Sequence, residues 1–271
     1  MAVITDSTGE KLWQLRTRTE SLKKWLVWFS VLVVAAVAWR YVSANTQWIF
    51  VVDSPRQAAD LFGRMVPPRI SYIGRLWGPL WDTINIATLG TLVALVIAVP
   101  LAFLAARNTT PHPLFRTVAL FIIAFSRSVN SLIWALMLVM IIGPGLLAGI
   151  IAIGIRAIGF ISKLLYEAIE EVNREALEAI TATGARRSQV IFFGVVPQIL
   201  PALAGIAVFR WDVNIRESTV VGLVGAGGIG LYLNHAINRM AWPDAAAILI
   251  VIFLMVLSSE WVSSKARHAI I

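Results

Sequence analysis

Residues 80–106 read LWDTINIATLGTLVALVIAVPLAFLAA, twenty-seven residues with a single charge, Asp82. As a helix rising 1.5 Å per residue this stretch is about 40 Å long, and a bilayer's hydrocarbon core is about 30 Å thick. Lipid offers no hydrogen-bond partner to a bare backbone, so a segment crossing it must satisfy its own amides and carbonyls as a helix. Five more stretches share this character, at about 25–42, 117–142, 145–165, 196–222 and 243–263. They predict an all-α membrane protein with about six transmembrane helices. The whole composition agrees. The 271 residues are 58% hydrophobic and 14% charged, with a mean hydropathy of +0.78. A soluble domain carries roughly a quarter of its residues as charges, so a soluble enzyme or a disordered regulator is excluded.

The net charge of +8 reads first as a topology signal and not as nucleic-acid binding. Thirteen basic residues fall on one side: Lys11, Arg16, Arg18, Lys23, Lys24, Arg107, Arg116, Lys163, Arg174, Arg186, Arg187, Lys265 and Arg267. Six fall on the other: Arg40, Arg56, Arg64, Arg69, Arg75 and Arg239. Cytoplasmic loops hold the basic excess, which places both termini in the cytoplasm. The layout is then a cytoplasmic segment 1–24, a first transmembrane helix 25–42, a periplasmic loop 43–79, a transmembrane domain 80–263 with a cytoplasmic loop 167–198, and a cytoplasmic tail 264–271.

Val42-Ser43-Ala44 loosely resembles a signal-peptide cleavage site, but the polar leader and the apolar core are both too long, and a retained helix is expected. Asp53-Ser54-Pro55 reads as the start of a short external helix through Met65, stopped by Pro67-Pro68. The Trp residues at 25, 28, 39, 48, 77, 81, 242 and 261 gather near span ends as interfacial anchors. No internal repeat supports an inverted-repeat carrier. Gly225 to Gly230 satisfies G-x-G-x-x-G, with Asp244 at roughly the acidic position, yet a dinucleotide site needs a strand before it. A tight external turn at the end of a membrane helix is the expected alternative.

The one long polar stretch runs from Glu167 to Gln198. Its acidic half favours helix, Gly184 permits a sharp break, and a second helix runs to Pro197. Glu178-Ala179-Ile180-Thr-Ala-Thr-Gly184, followed by Val196-Pro197, resembles the EAA signature of ABC importer membrane subunits, E-A-A-x3-G-x9-I-x-L-P. Ile180 stands for the second Ala, Gly194 for the Ile and Val196 for the Leu. Gly143 to Gly149, Lys163 to Glu170, Asn214-Ile-Arg216 and Gly222 to Gly230 are similar to the phosphonate/phosphite permease branch. The resemblance implies a type I importer permease fold. It also implies a second copy of this chain, two cytoplasmic ABC ATPase subunits and a periplasmic substrate-binding protein. ATP and Mg would sit on the ATPases, with no cofactor or metal on this chain. Glu178, Ala179, Gly184 and Pro197 would belong to the coupling element that docks on the ATPase. Independently of the resemblance, none of the five Lys follows a Gly, so a phosphate-binding P-loop cannot exist here.

Four Arg fall inside spans, where a charge costs at least ~2.5–3.5 kcal/mol on insertion scales. On the fifth span Arg210, Asn214 and Glu217 share one face, and Asp212 and Arg216 nearly the opposite one. Self-paired charges and a substrate path both fit that pattern. Arg127, about ten residues or roughly 15 Å into the third span, has no acid nearby in sequence. Asn130 and Ser131 fall on its face. Guanidinium binds phosphate-like groups through two parallel hydrogen bonds, so Arg127 suits a small oxyanion. Arg156 also lacks a local acid, and both Arg could instead pair with Asp82 or Glu217. The expected function is the permease of an ATP-driven importer for phosphonate, phosphite or hypophosphite. The alternatives are the same machine carrying an amino acid such as methionine, an ion-coupled secondary carrier, and a membrane enzyme. The last is disfavoured by the absence of Cys and by only three His without metal-ligand spacing.

Overall fold

The computed structural model describes residues 2–5, 11–14 and 18–270; Arg16, counted above for topology, lies outside them. The chain divides into two compact units, 1–61 and 62–271.

In the first unit, β1 (Ala2–Thr5) pairs antiparallel with β2 (Lys11–Gln14), a small departure from an otherwise helical chain. Helix α1 follows (Arg18–Asn45), and its apolar side chains, Trp25 and Phe29 among them, are exposed as a lipid-facing helix requires. Helix α2 runs Trp48–Met65 and corrects the start expected at Asp53-Ser54-Pro55. Pro55 lies within the helix and cannot donate to the Val51 carbonyl. The Ser54 hydroxyl donates to that carbonyl instead, at 2.8 Å, and Gln57 Nε2 bonds Asp53 Oδ2 at 2.9 Å. These side chains repair a helix that they seemed placed to begin.

The second unit opens with a 3-10 turn, Ile70–Arg75, then α3 (Trp77–Ala105), α4 (Pro113–Ser128), α5 (Ser131–Ile142) and α6 (Leu146–Glu170). The polar loop carries α7 (Arg174–Ala182). A short α8 (Arg187–Gln189) leads through a π-helical turn, Val190–Val195, into α9 (Val196–Gly222). Helices α10 (Ile229–Asn238) and α11 (Trp242–Ile270) close the chain. Among the described residues five helices are long and apolar enough to cross a membrane. Counted as one broken span, the pair α4 and α5, bent by 87°, brings the number to six.

That break corrects the straight third span expected over 117–142. Val129 and Asn130 are extended, and the Asn130 side chain accepts from the Leu132 amide at 3.1 Å, starting a new helix. Of the two serines at the end of α4, Ser128 bonds back to the Phe125 carbonyl at 2.8 Å, while Ser126 finds its partners on α6. Ser126 donates to the Ile155 carbonyl and accepts from the Gly159 amide at 3.0 Å.

The core lies between α3 and α6. Ala94 and Ala98 of α3 pack on Ala157 and Ile161 of α6, all fully buried, and Ser162 bonds the Ala98 carbonyl at 3.2 Å. Lipid tails supply no hydrophobic drive between helices, so close backbone approach through small residues has to supply the packing. The unit has two distinct ends. At one, Arg107 N donates to Glu170 at 2.8 Å and Arg187 binds the Thr109 and Thr110 carbonyls. At the other, Gly145 N meets the Gly225 carbonyl at 3.0 Å and Ile229 N the Thr83 hydroxyl at 2.8 Å. The glycine motif sits at this second end, with helix α9 before it and no strand. Gly225 has φ +94°, and a Cβ on Gly230 would lie 1.9 Å from the Thr219 carbonyl. It is a packed turn, as expected.

Candidate functional site: a lever helix and a basic bend

The polar loop is shorter as a lever than its sequence implies. Glu167 and Glu170 finish α6, and Glu171 caps it. Asn173 then restarts the chain, its side chain accepting from the Glu175 amide at 2.9 Å, so the lever is α7 alone. Leu177 and Ile180 turn inward; Glu178 and Ala179 are exposed on the other side. Gly184 turns the chain with φ +82°, a conformation that favours glycine. A Cβ on Gly194 would stand 2.6 Å from Leu177 Cδ2 and 3.1 Å from Ile180 Cδ1. Two departures from the EAA pattern therefore explain each other: a large Ile180 sits over a small Gly194. Pro197 does not end a helix, as was expected. One helical run spans Arg187–Gly222 and contains it. The π turn just before Pro197 relaxes the bonding pattern that proline would break, and Gln198 Nε2 donates to the Gly194 carbonyl at 2.8 Å. The run from Arg187 therefore continues unbroken past Pro197 into α9.

Within the membrane, α9 carries charge on two faces. On one, Asp212 pairs with Arg216 and accepts from Ser259 of α11 at 2.8 Å. On the other, Glu217 bridges two guanidiniums: its Oε2 lies 3.2 Å from Arg210 and its Oε1 2.9 Å from Arg156 of α6. Glu217, not Asp82, is therefore the partner of Arg156. Arg210 also lies over the Phe160 ring, 5.2 Å from its centroid. Asn214, one turn on, is fully buried and donates to Thr91 of α3 at 2.8 Å. That bond ties α9 to the core.

The broken span delivers the remaining residues. Ser131, the first residue of α5, accepts from Arg156 Nη1 at 3.4 Å and donates to Asn130 Oδ1 at 3.3 Å. Asn130 itself is spent on capping α5. The helical face that was to carry Arg127, Asn130 and Ser131 together does not exist, because the chain bends between them. The roughly 15 Å depth of Arg127 presumed a straight helix; Arg127 instead ends α4 at the bend. It is exposed and makes no ion pair or hydrogen bond among the described residues. Its Cγ lies 2.8 Å from where a Cβ of Gly159 would be, so the missing side chain gives Arg127 its place, one turn along α6 from Arg156. The signal that sequence reasoning missed is Gly159, unremarkable in an apolar run. Arg127, Arg156, Glu217 and Arg210 carry a net +2 around one stretch of α6. Among the described residues no cluster of His, Asp or Glu could hold a metal ion.

A multi-span helical bundle with a short helix in its one long polar loop and a surplus of positive charge at a broken helix pair has the character of a membrane transport subunit. The chain belongs to the family described as binding-protein-dependent transport system inner membrane component, whose model matches residues 98–263. It is a multi-pass protein of the bacterial inner membrane. It is 42% identical over 198 residues to the phosphite transport system permease protein PtxC of Stutzerimonas stutzeri, covering 73% of this chain and 72% of that one. It is 34% identical to the putative phosphite transport system permease protein HtxC of the same organism, covering 89% and 85%. In fold it matches a chain of the MetNI methionine ABC transporter in inward-facing conformations. The TM-score is 0.64 at 22% identity, covering 75% of this chain and 99% of that chain.

Proposed function

We propose that this chain is the permease of an ATP-driven importer that carries a small phosphorus oxyanion, such as phosphite or a phosphonate, into the cytoplasm by alternating access. Two copies of the chain form the path. Two ATPase subunits bind ATP and Mg and hydrolyse the nucleotide, a periplasmic binding protein delivers the cargo, and this chain binds no cofactor and catalyses nothing. Both termini and the loop 167–198 face the cytoplasm. There the exposed Glu178 and Ala179 of α7 dock on an ATPase, with Gly184 as the turn and Pro197 inside the run that carries motion to α9. Asp212 and Arg216 hold helices in register. Arg127, Arg156 and Ser131 face the cargo, with Arg210 and Asn214 behind them and Asn130 fixing the bend.

The observation that carries the oxyanion reading is Arg127, a guanidinium without a counter-ion among the described residues, whose Cγ packs at Gly159, one turn of α6 from Arg156. An isolated charge in a span costs free energy, and an anionic cargo recovers it during passage. The phosphite systems named for the relatives supply the chemical class. Conduction requires weak holding, and one such Arg from each copy meets that need. The test is accumulation of radiolabelled phosphite in vesicles that hold this chain, its ATPase and its binding protein. ATP-dependent, vanadate-sensitive accumulation is expected. Accumulation driven by an ion gradient without ATP, or of methionine and not phosphite, would overturn the reading.

A further inference from the structure

The geometry points to Glu217 as a resident counter-ion that the passing oxyanion displaces from Arg156, so that this carboxylate sets how weakly the path holds its cargo. The inference rests on the oxyanion reading and deepens it.

Glu217 divides its two oxygens between unequal partners. Arg210 is 3% exposed, Glu217 15% and Arg156 33%, a gradient from the protein interior outward. Arg210 is pinned by the Phe160 ring and by Glu217 Oε2, and its Nε is buried with no hydrogen-bond partner. It depends on Glu217 and has no room to turn to a ligand. Arg156 is placed the other way. A single nitrogen, Nη1, serves both Glu217 Oε1 and Ser131 Oγ. Its other guanidinium N–H groups make no hydrogen bond among the described residues, on the side that is open. A guanidinium offers parallel donors that match two oxygens of a phosphite or phosphonate, and Arg127 stands one turn of α6 away with its charge unmatched.

The three-charge group carries a net +1, so it attracts an anion without presenting a bare cation. When the anion arrives, Arg156 turns to it while Glu217 stays on Arg210. When the anion leaves, Glu217 Oε1 retakes Arg156. Every buried charge keeps a partner throughout, which matters because an unpaired buried charge is strongly destabilising. Without the carboxylate, Arg156 would have no competing partner and would hold the cargo, and a deep site stops conduction.

The test is Glu217→Gln in the complex of two permeases and two ATPases in nanodiscs, without binding protein, with radiolabelled phosphite as the probe. Half-saturation by phosphite is expected to fall about tenfold relative to wild type, while maximal uptake in vesicles falls by a similar factor. A strut that merely ties α6 to α9 would lower the unfolding temperature and leave half-saturation where it was; that result overturns the proposal. If the Gln variant does not assemble, Glu217→Asp serves. Its shorter arm stays on Arg210 and loosens Arg156, so half-saturation falls by a smaller factor, and an unchanged value overturns the exchange. Wild-type vesicles that accumulate no phosphite would remove the oxyanion reading and the exchange with it. Wild-type uptake with unchanged half-saturation in both variants removes the exchange alone.

Discussion

The two charged faces of α9 are made from the same residue types and come out differently. On one, Asp212, Arg216 and Ser259 close a neutral group across to α11, with Arg216 46% exposed. On the other, one carboxylate serves two guanidiniums while a third, Arg127, has none among the described residues. Charge that is balanced locally holds helices in place. Charge left in surplus at a broken span is a cost that packing alone does not explain, and it is where cargo of the opposite sign is to be sought. Spacing within α9 shows the first arrangement. The second requires α4, α5 and α6 to be brought together.

The comparison can be broken by disturbing either face alone. The larger effect is expected from Gly159→Ala. The new Cβ would meet Ser126 Oγ at 2.6 Å, Arg127 Cγ at 2.8 Å and the Ile123 carbonyl at 2.8 Å, and backbone atoms cannot swing aside. Overpacking of this kind costs about 1–3 kcal/mol. It pushes the end of α4, and Arg127 with it, away from Arg156. Uptake of phosphite by the assembled complex should fall about tenfold or more, a factor that corresponds to roughly 1.4 kcal/mol. Full uptake would mean that the spacing of the two Arg is irrelevant.

Ser259→Ala sharpens the same contrast from the neutral side. It removes one hydrogen bond to Asp212 between membrane helices, worth on the order of 0.6 kcal/mol. A small drop in the unfolding temperature in detergent is expected, with phosphite uptake per folded complex unchanged. A loss of uptake comparable to that of Gly159→Ala would erase the distinction between the faces.

Much of the architecture was legible because lipid leaves so few solutions. A run such as 80–106 has to be helix, and the Glu-to-Gly-to-Pro spacing of the polar loop marks the lever. Where the reading departed, side chains had partners that the linear sequence does not display. Ser54 compensates for Pro55 inside α2, and Gln198 with the π turn carries the chain through Pro197. The pairs Arg210–Glu217 and Asp212–Arg216 were readable because they lie within one helix. The pair Arg156–Glu217 joins residues 61 positions apart and remained one of two open possibilities. The bend at Val129–Asn130 sits in the polar stretch Ser126 to Ser131, whose side chains suit a polar helix face as well as a helix start, and with it went the expected shared face of Arg127, Asn130 and Ser131. What survives of that expectation is the isolation of Arg127, a property of the fold as well as of its sequence neighbours.

The most direct measurement is therefore phosphite uptake by Arg127→Ala in reconstituted vesicles, with ATP hydrolysis by the complex recorded alongside. A hydrogen bond to a charged group is worth about 1.5–3 kcal/mol, so the account predicts a fall in uptake of roughly 10- to 100-fold while hydrolysis continues. Uptake equal to wild type, at equal amounts of assembled complex, would contradict it.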